Sequence, residues 1–190
     1  MNARIAAAAQ RHPGLMFIAL PGAVLVLLVL ALWPAPQTSG GVFGADAAGA
    51  VPVAADRPAP EFSRPLLAGT GQLSSYRLHG NVVVVNFWAS WCSACRSELP
   101  QLRALSHETG GVVFLGVDEQ DTRSKGQAMI DRLRPDYPNV FDPDASLLHA
   151  FRSLAVPSTF IVDRTGRIRY QAFGATDSAA LAAAIAEVAG

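Results

Sequence analysis

Eight consecutive residues, Asn81 to Trp88 (NVVVVNFW), form an almost unbroken run of β-branched and aromatic side chains. A strand with one face in water alternates apolar and polar positions, so a continuous run belongs to a strand buried on both faces. The chain around it follows that demand. A helix is expected from Ser93 to Ser106, a second apolar strand from Val112 to Val117, and a helix around Gln127 to Leu133. A Pro- and Asp-rich turn region should follow near Pro135 to Pro143, then a short helix at Ser146 to Phe151. Ser158 to Val162 and Ile168 to Phe173 read as paired strands, with the turn Asp163-Arg164-Thr165-Gly166 between them and Gly166 free to take positive φ. Asp177 is placed to cap a last helix that carries Leu181, Ile185 and Val188 at helical spacing. Strands alternating with helices and closing on a hairpin predict an α/β fold with a mixed sheet. Ser63 to Ala68 and Gly71 to Ser74 should add a small hairpin before it.

The N-terminal part has a different texture. Leu15 to Trp33 is nineteen residues of almost purely apolar sequence, inside a charge-free stretch from Pro13 to Ala45. As a helix it would span about 28 Å, close to the thickness of a bilayer's hydrocarbon core. Arg4 and Arg11 precede it and Asp46 is the first charge after it, which leaves residues 1–14 in the cytoplasm and sends the rest across. The competing reading is a cleaved signal peptide, for which Ala45-Asp46-Ala47 offers a small-residue site. The apolar run is longer than the usual signal core of roughly 7–15 residues, and that site lies well past its end, which favours an uncleaved signal-anchor. Residues 34–58, rich in Ala, Gly and Pro, read as a flexible linker, and 59–190 as the folded domain. Fifteen basic and fifteen acidic residues cancel, and the basic ones are scattered, so nucleic-acid binding has no support.

The chain has two cysteines, and they stand three apart in Trp91-Cys92-Ser93-Ala94-Cys95, between the buried strand and a helix. The first N–H groups of a helix have no intrahelical partner and carry partial positive charge, which lowers the pKa of a thiol placed there. Cys92, at the edge, should be that thiolate, and Cys95, one turn in, the buried thiol that attacks back. A structural disulfide closing so short a loop would contribute only about 2 kcal/mol. A zinc site lacks two further ligands at paired spacing, and a haem site lacks the His that must follow the second Cys, since Arg96 stands there. A copper-binding chaperone could use two thiolates, but Met129 is the domain's one Met and no His adjoins the pair. No cofactor and no metal is expected.

Asn86 through Pro100 (NFWASWCSACRSELP) resembles the redox motif of the thioredoxin superfamily, and more narrowly that of the membrane-anchored thiol–disulfide interchange proteins of the TlpA/ResA/CcmG group. Ala59-Pro60-Glu61-Phe62, Gly116-Val117-Asp118, Val156-Pro157-Ser158-Thr159-Phe160 and Asp163 to Ile168 resemble further motifs of that group. The resemblance implies a thioredoxin-like mixed sheet flanked by helices, and an extracytoplasmic oxidoreductase acting on thiols and disulfides of exported proteins, apocytochrome c among them. It also implies a membrane thiol partner that donates or accepts electrons. Ser93-Ala94 is neither the Gly-Pro of reducing thioredoxins nor the Pro-His of strong oxidants, so disulfide reduction and disulfide formation both stay open.

By the same resemblance Pro157 is a cis proline facing the cysteines, and Trp91, Val156 and Pro157 receive the substrate chain, Val156 by backbone pairing as an added strand. Glu98 is placed by the helix itself. Taking about 100° per residue from Cys95, Leu99 falls near 40°, Leu102 near 340°, Leu105 near 280° and Glu98 near 300°, so a carboxylate lies on the leucine stripe. The resemblance makes it a functional acid assisting Cys95. Burial should raise its pKa, and a leucine in its place is expected to be no less stable at pH 8. Topology has its own test. With an uncleaved anchor, residues from Pro34 onward are outside and the chain stays in membranes after carbonate washing, whereas release of a form beginning near Ala48 would show cleavage.

Overall fold

The computed structural model describes residues 50–190. The predicted cytoplasmic segment 1–14, the membrane segment 15–33 and most of the linker therefore lie outside the described residues. Among the described residues no helix is long and apolar enough to cross a membrane.

The elements run β1 (Val53–Pro58), β2 (Ser63–Pro65), β3 (Gln72–Ser74), a 3₁₀ turn (Ser75–Leu78), β4 (Val82–Trp88), α1 (Ser93–Glu108), β5 (Val112–Glu119), α2 (Arg123–Leu133), β6 (Asn139–Asp142), α3 (Ser146–Ala150), β7 (Ser158–Val162), β8 (Arg167–Phe173) and α4 (Ser178–Ala189). β2 and β3 make the small antiparallel hairpin, and the main sheet has the order β1-β8-β7-β4-β5-β6. β4, β5 and β6 are parallel, while β7, β8 and β1 pair antiparallel, so the sheet is mixed.

All seven residues of β4 are buried, which is why its sequence shows no alternation. Its two faces serve two cores. Val83, Val85 and Phe87 point into one with Leu115, Val117, Phe160 and Ile168, closed by Leu147 and Leu148 of α3 and by Phe151. Val82 and Val84 point into the other with Leu102 and Leu105 of α1 and Leu181 and Ile185 of α4. Beyond them on this second face, Trp88 packs with Cys95, Leu99 and Met129 of α2. The hairpin turn has Gly166 at φ 78°, and the Asp177 side chain accepts the Ala180 N–H at the start of α4, both as the residue types predict.

Three expectations are corrected. The stretch from Pro135 to Pro143, expected to be turn, contains β6, whose four residues pair in parallel with Gly116 to Glu119. Prolines stand immediately before and after it, where no ladder N–H is needed, so the turn signals mark its ends. α2 begins at Arg123, four residues before the expected Gln127, because its first turn is polar and shows no apolar period. Val53–Pro58, inside the segment 34–58 expected as linker, forms edge strand β1 on β8. Its Ala-Ala-Asp-Arg sequence has little β propensity, and it is held by Asp56 to Arg167 (2.6 Å) and by Arg57 to the Phe151 carbonyl (2.7 Å).

Candidate active site

β4 delivers the chain to a turn, Ala89 to Cys92, closed by the Cys92 N–H donating to the Ala89 carbonyl at 3.1 Å. Cys92 keeps extended backbone (φ −81°, ψ 113°) and occupies the capping position of α1. Its Sγ accepts the Cys95 N–H at 3.0 Å, so the sulfur itself satisfies one of the helix's orphan donors. Cys95 is fully buried and Cys92 retains 7% exposure, the edge and interior positions expected of them. The two are joined as a disulfide with their Cα atoms 5.3 Å apart.

The turn is tied on three sides. The Arg96 guanidinium donates to the Ser90 carbonyl (3.1 Å), the Ser90 N–H donates to Asp121 Oδ2 (2.6 Å), and the Trp91 indole N–H donates to the Gln120 carbonyl (3.0 Å). Trp91 is 57% exposed beside Cys92. The Val156–Pro157 peptide bond is cis. Val156 packs against the cluster that holds both cysteines, so this edge and the redox pair are neighbours. The loop is braced from behind by Ser153 and Ser158, whose hydroxyls lie 2.7 Å apart, Ser158 also donating to the Ala155 carbonyl.

Glu98 is 2% exposed, as its place on the leucine stripe predicts. Its Oε1 accepts the Thr176 N–H (2.8 Å) and its Oε2 accepts from Asn86 Nδ2 (3.0 Å), which also donates to Thr159 (3.0 Å). One carboxyl thus links α1 to β4 and, through Asn86, to β7 one residue beyond Ser158. Burial raises its pKa, and the bonds from Thr176 and Asn86 oppose that without reversing it. These donors count against the expectation for leucine, most strongly at acidic pH. The carboxyl meets two polar donors, and leucine would leave the Thr176 N–H unpaired and take one of the two acceptors from Asn86.

Other polar residues near the pair escape a reading by periodicity. Asp118, at the end of β5, is fully buried, and neither of its oxygens has a hydrogen-bond partner. Burial, with Asp121 second, pushes its pKa up to about 8. Glu119 is raised to about 7 by burial, then by Asp142 and Asp121. Asp142 itself takes the Arg64 guanidinium (3.0 Å) and the Leu147 and Leu148 N–H groups at the start of α3. The available signal was in glycines. Gly126 stands inside α2 at a cost of about 1 kcal/mol relative to alanine, and a Cβ there would lie 1.9 Å from Asp118 Oδ2. Gly116 likewise makes room in β5 for the Asn139 side chain, which accepts the Trp88 indole N–H at 3.0 Å.

A family model described as AhpC/TSA matches residues 55–171. The chain is similar to the thiol:disulfide interchange protein DsbE of Allochromatium vinosum, with 40% identity over 65% of this chain and 68% of that one. It is also similar to the thiol-disulfide oxidoreductase ResA of Geobacillus kaustophilus, with 31% identity over 62% of this chain and 68% of that one. Across these and a further relative, HelX of Rhodobacter capsulatus, the chain spans 50% to 68% of the relative's length. Among solved structures, a thiol:disulfide interchange protein of the thioredoxin family from Chlorobium tepidum matches with a TM-score of 0.64 at 25% identity, covering 73% of this chain and 99% of that one.

The Glu98 geometry yields a prediction with a defined sign. Its folded pKa lies above the unfolded value of about 4.3, so the folded state holds the extra proton. The stability this contributes is fully present below pH ~4.3 and is lost as pH rises through the folded pKa. In urea unfolding of the oxidised protein, Glu98→Leu should cost about 1–3 kcal/mol at pH 5, from the unpaired Thr176 N–H and the acceptor lost by Asn86. The gap should narrow toward pH 9. A gap that stays constant or widens contradicts a raised pKa.

Proposed function

Because the chain belongs to the thioredoxin-like AhpC/TSA family and is a thiol–disulfide oxidoreductase of the DsbE/ResA type, we propose that it works outside the cytoplasm, anchored by residues 15–33, and reduces disulfides in exported proteins, apocytochrome c among them, through Cys92 and Cys95. The observation that carries this reading is the Cys92 sulfur at the capping position of α1, accepting the Cys95 N–H at 3.0 Å with Cys95 buried behind it. A thiolate formed at that sulfur keeps the N–H bond and gains the field of the helix terminus.

In this mechanism the Cys92 thiolate attacks one sulfur of a substrate disulfide. A Cys92–substrate bond forms, the substrate's S–S bond breaks, and the departing sulfur takes a proton. Cys95 then loses its own proton, to the Glu98 carboxylate directly or through one water, and attacks the Cys92 sulfur. The mixed disulfide breaks and the substrate leaves carrying two thiols. Two electrons have moved to it, and Cys92–Cys95 is left as a disulfide that a membrane thiol donor reduces again. Trp91 and the Val156–Pro157 edge supply the surface on which the substrate chain lies, Val156 by backbone pairing.

Two measurements test this reading. Cys95→Ser in the full chain should accumulate mixed disulfides with exported proteins through Cys92, and Cys92→Ser should accumulate few. Equal trapping by both variants would remove the assigned roles. The Cys92–Cys95 reduction potential should lie near thioredoxin's, about −270 mV, and a value near −120 mV would make the protein an oxidant.

A further inference from the structure

Beside the redox turn lies a groove that the mechanism leaves unused. Ser90, Arg96 of α1, and Lys125, Ala128, Met129 and Arg132 of α2 line it, around a volume of about 300 Å³. The helix dictates which residues meet there. Taking about 100° per residue from Lys125, Ala128 falls near 300°, Met129 near 40° and Arg132 near 340°, all on one face of α2. Met129 is buried, while Lys125, Ala128, Arg132 and Arg96 are exposed. Ala128 and Met129 supply an apolar part, and every charged side chain of the lining is a cation.

The nearby acids are engaged elsewhere. Among the described residues no carboxylate lies within ion-pair distance of Arg96, Lys125 or Arg132. Asp131 falls near 240° on the same wheel, on the adjoining face, and takes the Gln127 amide at 2.8 Å. Asp121, bonded to the same Ser90, takes the Ser90 and Thr122 N–H groups at 2.6 and 2.7 Å. Arg96 is aimed at the turn by its bond to the Ser90 carbonyl (3.1 Å), which uses one of the guanidinium's five N–H donors.

Exposed cations hold a free anion weakly. They act far better on an occupant that another contact delivers, because the second contact is then intramolecular. Ser90 is two residues before Cys92, so a chain whose disulfide meets Cys92 arrives at the rim of the groove. Trp91, Val156 and Pro157 offer it apolar and backbone contacts, which carry no charge and cannot select by sign. We propose that the groove of Arg96, Lys125 and Arg132 is a specificity site, taking carboxylate side chains that flank the reactive cysteine of the partner protein. The proposal rests on the reading that Cys92 meets that partner's disulfide. The three cations speed encounter with acidic partners and disfavour basic ones.

The test compares rates in the reduced full-length chain in a neutral detergent. Two synthetic disulfide peptides differ only in carrying Glu or Gln on both sides of the cysteine. At low salt the Glu peptide should be reduced about three- to tenfold faster, and the gap should close as salt screens the groove. Lys125→Gln with Arg132→Gln should bring the Glu peptide down to the rate of the Gln peptide, whose continued reduction shows the fold intact. Lys125→Glu with Arg132→Glu should invert the preference. A parent without the preference, or a preference that survives the double substitution, overturns the proposal. So does inorganic phosphate that blocks the Glu peptide beyond its ionic strength, since the groove would then be a small-anion site. If neither peptide is reduced, the redox reading fails and the groove is judged without it. In the oxidised chain, a Glu peptide with Ser for its cysteine should shift the Ala128 and Arg132 amide signals saturably, and the Gln peptide should not. Amides that stay fixed with the Glu peptide overturn the groove whatever the cysteines do.

Discussion

The bond on which the site depends is the one between the Cys95 N–H and the Cys92 sulfur. It sits where a fully buried strand runs into a helix that begins with unpartnered N–H groups. That junction decides which sulfur meets solvent and which is enclosed. A sulfur at the capping position is stabilised as a thiolate by groups the helix must expose anyway, so the electrostatic preparation needs no added cation. The rest of the domain keeps the junction rigid. β4 is packed on both faces, Trp88 is locked to Asn139, and the turn is tied to Arg96, Asp121 and Gln120.

Around that junction the fold buries acids and makes space for them with small residues and amides. Asn86 stands on β4 between Glu98 and Thr159 and satisfies both. Gly126 opens α2 above Asp118. Each choice weakens a regular element, a glycine inside a helix and an amide inside a buried strand. Burial favours the neutral form of both carboxyls.

Much of this was legible in the chain, and the reasons are physical. A continuous β-branched run, a cysteine pair at a helix start and an Asp-x-x-Gly turn are local signals, and each formed as its residues demand. The helical wheel placed Glu98 in the interior because burial follows angle. What it lacked was the partners, since Thr176 lies seventy-eight residues away. β6 and β1 were hidden for a related reason. Both are short edge strands flanked or filled by weak β formers, and their stability comes from Gly116 to Glu119 and from β8 rather than from their own sequence. Asp118 was the hardest to see, because an acid opening the polar run Asp118-Glu119-Gln120-Asp121 at a strand end looks exposed until the helix above it proves to have a glycine there.

The central claim is that the helix start makes Cys92 the reactive thiolate. The direct measurement is the pH dependence of alkylation in the fully reduced chain, with each cysteine followed separately by peptide mapping. Cys92 should react first, with an apparent pKa below the free-thiol value of about 8.5, while Cys95 stays protected until much higher pH. A Cys92 pKa at or above about 8.5, or equal reactivity of the two thiols, would contradict the account.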